Sequence, residues 1–565
     1  MAAAEKTTVA EFIAAFLKAR GVLHVFGFQG GAILKLVDAM ILTGGVTYVQ
    51  NYHEQAAAFG ADAYARVSGI PGVAIATSGP GATNLVSGIA NAHLDSIPCI
   101  FFTGQDYTHN LKTSADIRQN GFQEVDIVGI VRPITKYAVT LTDPDRVRYV
   151  MERAWHECCS GRPGAVLIDI PIDVQFAKVE PETLEGYAPE PEPQEALDLA
   201  EVVELIKGSR RPVVLVGGGV RTSGGSAALK RFADSTGIPL VATLNGLDAC
   251  EGIRSFSGLY GNTFSSLIVH NADLLLVLGS RLGVRQVGKD KLSYTRGRVI
   301  RVDVDPLELR RVIPETLSIR SDVRKFLEEL NDALGTGLPD FAPWRAQADA
   351  WERSFGDNVL VNGGGEKGVD PVLMLREICA LLDEDAILTA DVGQNQMWLA
   401  QAFRAKGRQR LLNSGGHGNM GFSLPAAIGA HFAAPGSQVV AFTGDGGLHM
   451  NIQELQLIGC KQLDIKCVVL NNNALGMMRE VQKRYFDARY FGADSEYFCC
   501  ANLELLAKAY GLDYVRIDSH KMLAVIASTL RAPRPCIIDI RLSEDSELLN
   551  WYDEKHIFEA NRIDG

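Results

Sequence analysis

Gln438-Val439-Val440-Ala441-Phe442-Thr443-Gly444-Asp445-Gly446-Gly447 and Ile465-Lys466-Cys467-Val468-Val469-Leu470-Asn471-Asn472-Asn473 are the two stretches that decide the fold. Each is an apolar run of strand length that ends in turn-forming residues, as a strand buried on both faces does. Between them, Asn451 to Cys460 reads as a helix. Strand, glycine turn, helix and strand bring Asp445 and Asn472 together at the carboxyl edge of a parallel sheet, where open α/β sheets bind ligands. A carboxylate, an amide oxygen and nearby backbone carbonyls suit Mg2+ bound to a diphosphate. Gly444, Gly446 and Gly447 let the backbone approach the phosphates. Gly-Asp-Gly alone is an ordinary turn; the spacing to Asn472 and the flanking strands make it a diphosphate site. One turn cannot hold such a cofactor, so another part of the chain has to supply the rest.

The 565 residues are enough for about three to four domains. Their 47% hydrophobic content and 56 glycines suit a globular α/β protein. A net charge of −12 argues against a nucleic-acid surface or a basic membrane-binding face. The ten cysteines include the adjacent pairs Cys158-Cys159 and Cys499-Cys500 but no C-x-x-C; Cys99, Cys467 and Cys536 lie in apolar runs and read as buried thiols. No uninterrupted apolar run reaches the ~18 residues of a membrane span, and Met1-Ala2-Ala3-Ala4 lacks the order of a secretory signal. The expectation is a soluble, cytoplasmic protein.

Working outward, residues 1–190 repeat strand, turn and helix, which predicts a parallel sheet. Thr47 to Gln50 is a strand, and Asn51-Tyr52-His53-Glu54-Gln55 opens an alanine-rich helix. Glu54 is flanked by small residues that would leave it poorly hydrated. A carboxyl so placed can exchange protons with a buried heterocycle, or simply favour the helix N-terminus. Gly72 to Thr77 is a strand, followed by the turn Ser78-Gly79-Pro80-Gly81 and a helix from Ala82. Residues 178–200, rich in Pro and Glu, read as an exposed linker. A second α/β unit, 195–340, opens with a strand ending Gly217-Gly218-Gly219 and has further strands ending Thr243, Gly279-Ser280-Arg281 and Asp303. A looser linker, roughly 336–366, contains Gly363-Gly364-Gly365; a third unit spans 366–545, and 546–565 is a tail. One echo joins the outer units: Arg162-Pro163 and Arg534-Pro535 each introduce an apolar strand that ends Ile-Asp-Ile.

His53-Glu54-Gln55, Ala76 to Asn84, Gly121 to Val128, Gly415 to Phe422 and the opening motif resemble the thiamine diphosphate enzymes of the acetohydroxyacid synthase (acetolactate synthase) type. The resemblance runs from about Thr8 to about Leu542. It implies three doubly wound parallel-sheet domains: pyrimidine-binding, central flavin-binding and diphosphate-binding. It implies thiamine diphosphate, Mg2+ and FAD as cofactors. Glu54 would hydrogen-bond the aminopyrimidine and promote the tautomer that takes the thiazolium proton. Asp445, Asn472 and the Ala474 backbone would hold the metal. Gly393, Gln394, Asn395, Gly418, Gly476 and Met477 would line the thiamine diphosphate, with Met420 as the apolar wedge that bends it. Arg162, the glycines 217–219, Thr243, Gly279, Ser280, Arg281, Asp303 and Asp322 would hold FAD. Phe122, Gln123 and Lys136 would approach the substrate entrance, and Arg285 a carboxylate or the flavin. Glu54 and Asp445 would serve one cofactor from two chains, giving at least a homodimer, with a homotetramer as the expected assembly. Whether a regulatory subunit attends it stays open.

The departures concern the acceptor. Val481 stands where the family's synthases place a tryptophan, which removes a rigid apolar wall. Gly283-Val284 replace two acidic residues, Ile172 a lysine, and the tail lacks the usual proline-rich close. These features resemble a branch that adds a pyruvate-derived acetyl unit to other ketones, as in enzymes making branched sugars such as yersiniose. The expected function is acetolactate synthase-like carboligation from pyruvate. Acetyl transfer to a ketone or keto-sugar is the close alternative, and an FAD-dependent pyruvate oxidase a more distant one.

Overall fold

The computed structural model describes residues 6–114, 116–190, 196–288, 294–310, 316–356, 368–548 and 555–563. The chain builds three six-stranded sheets, and every strand pair within them is parallel. In space the first sheet runs Thr47–Gln50, His24–Phe28, Gly72–Ala76, Cys99–Gln105, Ala165–Pro171, Tyr137–Thr140. The third runs Arg410–Asn413, Ile387–Ala390, Val439–Gly444, Ile465–Asn471, Cys536–Arg541, Asp513–Ile517. Numbered by position in the chain, both have the order 2-1-3-4-6-5. The central sheet, which begins at Pro212–Val216, has the order 3-2-1-4-5-6 of dinucleotide-binding folds. The middle strands Cys99–Gln105, Ala165–Pro171 and Ile465–Asn471 are buried at every residue. Helices cover both faces, so these strands read as continuous apolar runs rather than alternating ones. The two Ile-Asp-Ile strands hold the same place in the first and third sheets.

The first and third sheets meet through equivalent helices, Glu54–Ser68 and Ser423–Ala433, each following its sheet's outermost strand. His53 caps the former by accepting the Gln55 amide at 3.1 Å, and Gly69, at φ 74°, ends it. The backbones come so close that a Cβ on Gly429 would collide with the Gly60 carbonyl. Phe59 and Phe422 pack edge to face beside that contact, with ring centroids 5.5 Å apart.

Three expectations need correction. The helix after the glycine turn starts at once, as Asp445–Met450, and breaks at Asn451 into a 3-10 turn, Ile452–Glu454, and a helix, Leu455–Lys461. Asn451 breaks it because its side chain turns away to bond the Gly421 carbonyl at 2.9 Å. The linker at 178–200 begins docked: Lys178–Val179 pairs antiparallel with Thr7–Thr8, and Leu184 is buried. The linker at 336–366 contains a helix, Ala342–Phe355, anchored by buried Trp344 and Trp351. Residues 191–195 and Gly363-Gly364-Gly365 lie outside the described residues. The tail returns to the central unit, where Ile557 and Phe558 pack against its core and Trp351 Nε1 donates to Asn561 Oδ1 at 3.1 Å. Among the described residues no helix is long and apolar enough to cross a membrane. All ten cysteines are unpaired.

Candidate active site

In a 2-1-3-4-6-5 sheet the winding reverses between the first and third strands, and the crevice at their carboxyl ends is the natural ligand site. In the third sheet those ends carry Asp391–Asn395 and Gly444–Gly447. Asp445 is 2% exposed. Its Oδ1 accepts the Gly446 amide at 2.9 Å, whereas Oδ2 has no partner among the described residues. Burial pushes its pKa up to about 6, against the pull of the Gly446, Asn473 and Ala474 amides. A buried carboxylate with an unpartnered oxygen and no cation is poorly satisfied and suited to take one. Asn472, also buried, donates Nδ2 to Gln394 Oε1 at 3.3 Å, which leaves its oxygen as the available ligand atom.

The glycines around this pair are sterically required. A Cβ on Gly476 would collide with Gln394 Oε1; on Gly393 or Gly444 it would come 2.7 or 3.2 Å from Asn395 Oδ1. A Cβ on Gly446 would lie 3.4 Å from the Met420 methyl, so Met420 leans over the turn. Gly418 holds φ 76°, Ala474 is buried, and Met477 packs on the core. Asp391, which the sequence offers only as the start of a motif, orders this loop. Its oxygens accept the Val392 and Gly421 amides at 2.9 Å and the Ser423 amide at 3.0 Å. No group of three His, Cys, Asp or Glu suited to a metal occurs among the described residues. The donors are one carboxylate plus amide and backbone oxygens, a set that leaves room for diphosphate oxygens on Mg2+.

The first sheet carries the other cluster. Glu54 is 7% exposed; its Oε2 accepts from Asn84 Nδ2 at 3.0 Å, and a Cβ on Gly81 would stand 3.1 Å from Oε1. Gly79, at φ 57°, backs onto the Gln123 carbonyl, and Ser78 Oγ reaches Gln123 Oε1 at 3.5 Å. Glu124, unremarked in the sequence, pins this loop by accepting the Lys112, Asn120 and Gly121 amides at 2.6, 2.8 and 3.0 Å. Phe122 beside it is 83% exposed. Lys136 does not join them. It precedes the strand Tyr137–Thr140 at the opposite, amino edge of the sheet, with Nζ donating to the Ser160 carbonyl at 2.6 Å.

A cavity of about 420 Å3 lies between the amino edge of the first sheet and the carboxyl edge of the central one. Gly218, Gly219, Thr243, Gly279, Ser280 and Arg281 line it, with Asp303, Asp322 and Arg285. Gly217 stands behind, its missing Cβ leaving room for the Gly279 carbonyl. Arg162 reaches the wall and is held there by Asp305 at 3.2 Å and Glu308 at 3.0 Å. Among the described residues Arg285 has no carboxylate partner, and its Nη2 lies 3.8 Å from Met397 Sδ. Met397 sits on Gln394–Ala402, so this cavity and the Asp445 crevice share a helix. Asn245, which had no signal in the sequence, and Gly415–Gly416, which the sequence placed in the third unit's motif rather than here, also line it. They are gathered by Asp95, which accepts the Gly415 and Gly416 amides at 2.9 and 2.7 Å and Asn245 Nδ2 at 3.3 Å.

Val481 is half-buried on the helix Gly476–Tyr485. The tail straps that helix: Arg479 pairs with Glu544 at 2.8 Å and Asp545 at 3.0 Å, and Glu480 accepts the Leu548 amide at 2.6 Å. No hydrogen bond or ion pair among the described residues joins Glu54 to Asp445 or Asn472.

Comparison with known proteins covers the same three units. Residues 7–130 match the family described as thiamine pyrophosphate enzyme, N-terminal TPP binding domain; 199–330 match its central domain, and 391–540 its C-terminal TPP binding domain. Acetolactate synthase 1, chloroplastic, of Zea mays is 36% identical over 98% of this chain and 89% of its own length. Acetolactate synthase, chloroplastic, of Arabidopsis thaliana is 36% identical over 94% of this chain and 81% of its own. The acetolactate synthase large subunit of Lactococcus lactis is 34% identical over 96% and 94%.

Proposed function

The chain belongs to the thiamine diphosphate enzymes of the acetolactate synthase type and is a thiamine diphosphate-dependent carboligase, with Mg2+ and FAD typical of its family; on that premise we propose that it decarboxylates pyruvate and joins the two-carbon unit to a second carbonyl compound. The observation that carries this reading is the buried, unpartnered Asp445 Oδ2 beside Asn472 at the reversal point of the third sheet.

Thiamine diphosphate, when bound, would supply the carbon nucleophile and the electron sink that decarboxylation of a 2-keto acid needs. Asp445, Asn472 and the Ala474 carbonyl would hold Mg2+, and the missing side chains of Gly444, Gly446 and Gly393 would make room for the diphosphate. Met420 gives that crevice an apolar floor. Glu54 moves a proton at Oε1, the oxygen that Asn84 leaves free, in a site kept dry by Gly81 and the loop of Gln123. The cavity of the central unit fits FAD: its glycine turns admit the pyrophosphate, and Asp303, at a strand end, suits a ribose hydroxyl. Arg285, a cation with no carboxylate partner among the described residues, orients the acid group of the substrate. Val481 leaves the acceptor side roomier than an indole would, which supports ketone acceptors beyond simple 2-keto acids.

No hydrogen bond or ion pair among the described residues joins Glu54 to Asp445, and Phe122 stands uncovered beside Gln123. Both observations support a homodimer in which the first unit of one chain faces the third unit of the other. The ten unpaired thiols support action in the cytoplasm. The test is incubation of the cofactor-loaded protein with pyruvate alone and with pyruvate plus simple ketones, with CO2 and product mass followed together. A carboligated product is expected in at least one mixture; no CO2 release in either ends the proposal, and peroxide formed in step with pyruvate loss moves it to an oxidase.

A further inference from the structure

The short turn Asn451–Glu454 belongs to neither cluster and touches both. Asn451 Nδ2 donates to the Gly421 carbonyl at 2.9 Å, next to Met420, and to Gln55 Oε1 at 3.3 Å, next to Glu54. Glu454 is fully buried and spends both oxygens on the loop that leads into Glu54. Oε1 accepts the Tyr52 amide at 2.8 Å, and Oε2 accepts Asn51 Nδ2 at 2.9 Å. Asn51 is fully buried too, and its Oδ1 has no partner among the described residues. Among the described residues Glu454 forms no ion pair, and burial pushes its pKa up to about 7. A carboxyl taken out of water without a cation is costly to keep. Here it makes a two-point bond from the third unit to the loop of the first, immediately before the residue that has to be aimed.

We propose that Glu454 is the positioning residue for Glu54. It clamps Asn51 and Tyr52 from the third unit and so fixes the point from which the helix Glu54–Ser68 starts and the direction in which its first side chain projects. The inference rests on the reading of Glu54 as the proton carrier. A misplacement of a catalytic group by about 1 Å costs on the order of 10²-fold in rate, so the clamp should show in turnover. Gln at 454 can keep it, because its oxygen still accepts the Tyr52 amide and its amide nitrogen can donate to the free Oδ1 of Asn51. Ala cannot.

The experiment compares Glu454→Ala, Glu454→Gln, Glu54→Gln and the Glu454→Ala/Glu54→Gln double variant in the full-length protein. Two readouts are used: steady-state kinetics of the loaded enzyme, and amide hydrogen exchange of the segment 51–55 in the cofactor-free protein. Glu454→Ala should lower kcat by roughly 10- to 10²-fold with the KM for pyruvate unchanged, and should speed exchange in 51–55 alone. Glu454→Gln should restore both. In the Glu54→Gln background the Ala change should add no further loss, since its effect runs through Glu54. Wild-type turnover and exchange in Glu454→Ala, losses that multiply in the double variant, or faster exchange across the whole third sheet would overturn the proposal. If Glu54→Gln alone keeps full activity, the reading of Glu54 has failed instead, and the exchange data still decide whether Glu454 holds the loop.

Discussion

The first and third sheets share one strand order and place a glycine turn after the same strand, Gly79–Gly81 in one and Gly444–Gly447 in the other, yet they hold opposite kinds of carboxylate. Glu54 has a side-chain donor in Asn84 and lies beside a glycine gap. Asp445 has an oxygen with nothing to bond. On the function proposed above, the same edge of the same scaffold serves as a proton site in one copy and a metal site in the other. The fold sets where chemistry sits, and a few side chains set which chemistry it is.

Exchanging the ionisable groups at the two edges should therefore break different steps. Glu54→Gln keeps the shape and the Asn84 contact but removes the proton. Turnover should fall by roughly 10²- to 10³-fold, with thiamine diphosphate affinity, read by cofactor titration, nearly unchanged. Asp445→Asn should do the reverse. Cofactor and Mg2+ affinity should fall on the order of 10- to 10²-fold, while the cofactor-free protein melts no lower than wild type, because a poorly satisfied buried carboxylate has gone. If both variants lose affinity equally, the division of labour between the sheets is wrong.

Such a division was legible in the sequence only where one turn carries the whole signal. Asp445 and Asn472 end neighbouring buried strands, so the strand pattern alone places them together. Glu54 was ambiguous between a helix-start carboxylate and a proton carrier, and its Asn84 and Gly81 surroundings needed the structure. Asp391 and Glu454 were invisible in their roles because their partners, Ser423, Gly421 and Tyr52, come from other segments. The glycine turns of the central unit could be read, but Asn245 and Gly415–Gly416 reach the cavity through domain packing. The helix Ala342–Phe355 reads as linker because its apolar residues are few and spread among charged ones. For Lys136 the resemblance names a neighbourhood only, and its place at the amino edge of the first sheet needed the structure.

The contact between the two sheets allows a sharper, smaller test. Gly60 and Gly429 hold the same position in equivalent helices, but a Cβ on Gly429 would meet the Gly60 backbone, whereas one on Gly60 would come nearest to the Phe26 ring, at 3.1 Å. Backbone cannot give way as a ring can. Gly429→Ala should cost about 1–3 kcal/mol through overpacking, seen as a lower Tm. Gly60→Ala should be near neutral, since the helix gains up to about 1 kcal/mol from Ala over Gly. Equal losses would mean the helices yield as a pair.

The smallest effect expected separates the two Ile-Asp-Ile strands. Asp169 is held by neutral donors only, Thr103 at 2.7 Å, Gln105 at 3.1 Å and Thr140 at 3.3 Å, and burial pushes its pKa up to about 7. Its counterpart Asp539 accepts from Asn471 at 3.0 Å and Tyr514 at 2.9 Å and has Arg541 at 3.6 Å. A carboxyl whose folded pKa is raised stabilises the fold fully below the ordinary carboxyl range and loses that contribution as pH rises through about 7. Asp169→Asn removes this dependence. The fall in Tm between pH 5 and 8 should shrink, by roughly 2–4 °C for each kcal/mol relieved. Asp539→Asn should weaken cofactor binding, because Asp539 holds Asn471, the neighbour of the proposed metal ligand Asn472. An unchanged pH profile in Asp169→Asn, or wild-type cofactor affinity in Asp539→Asn, would break this distinction between the two strands.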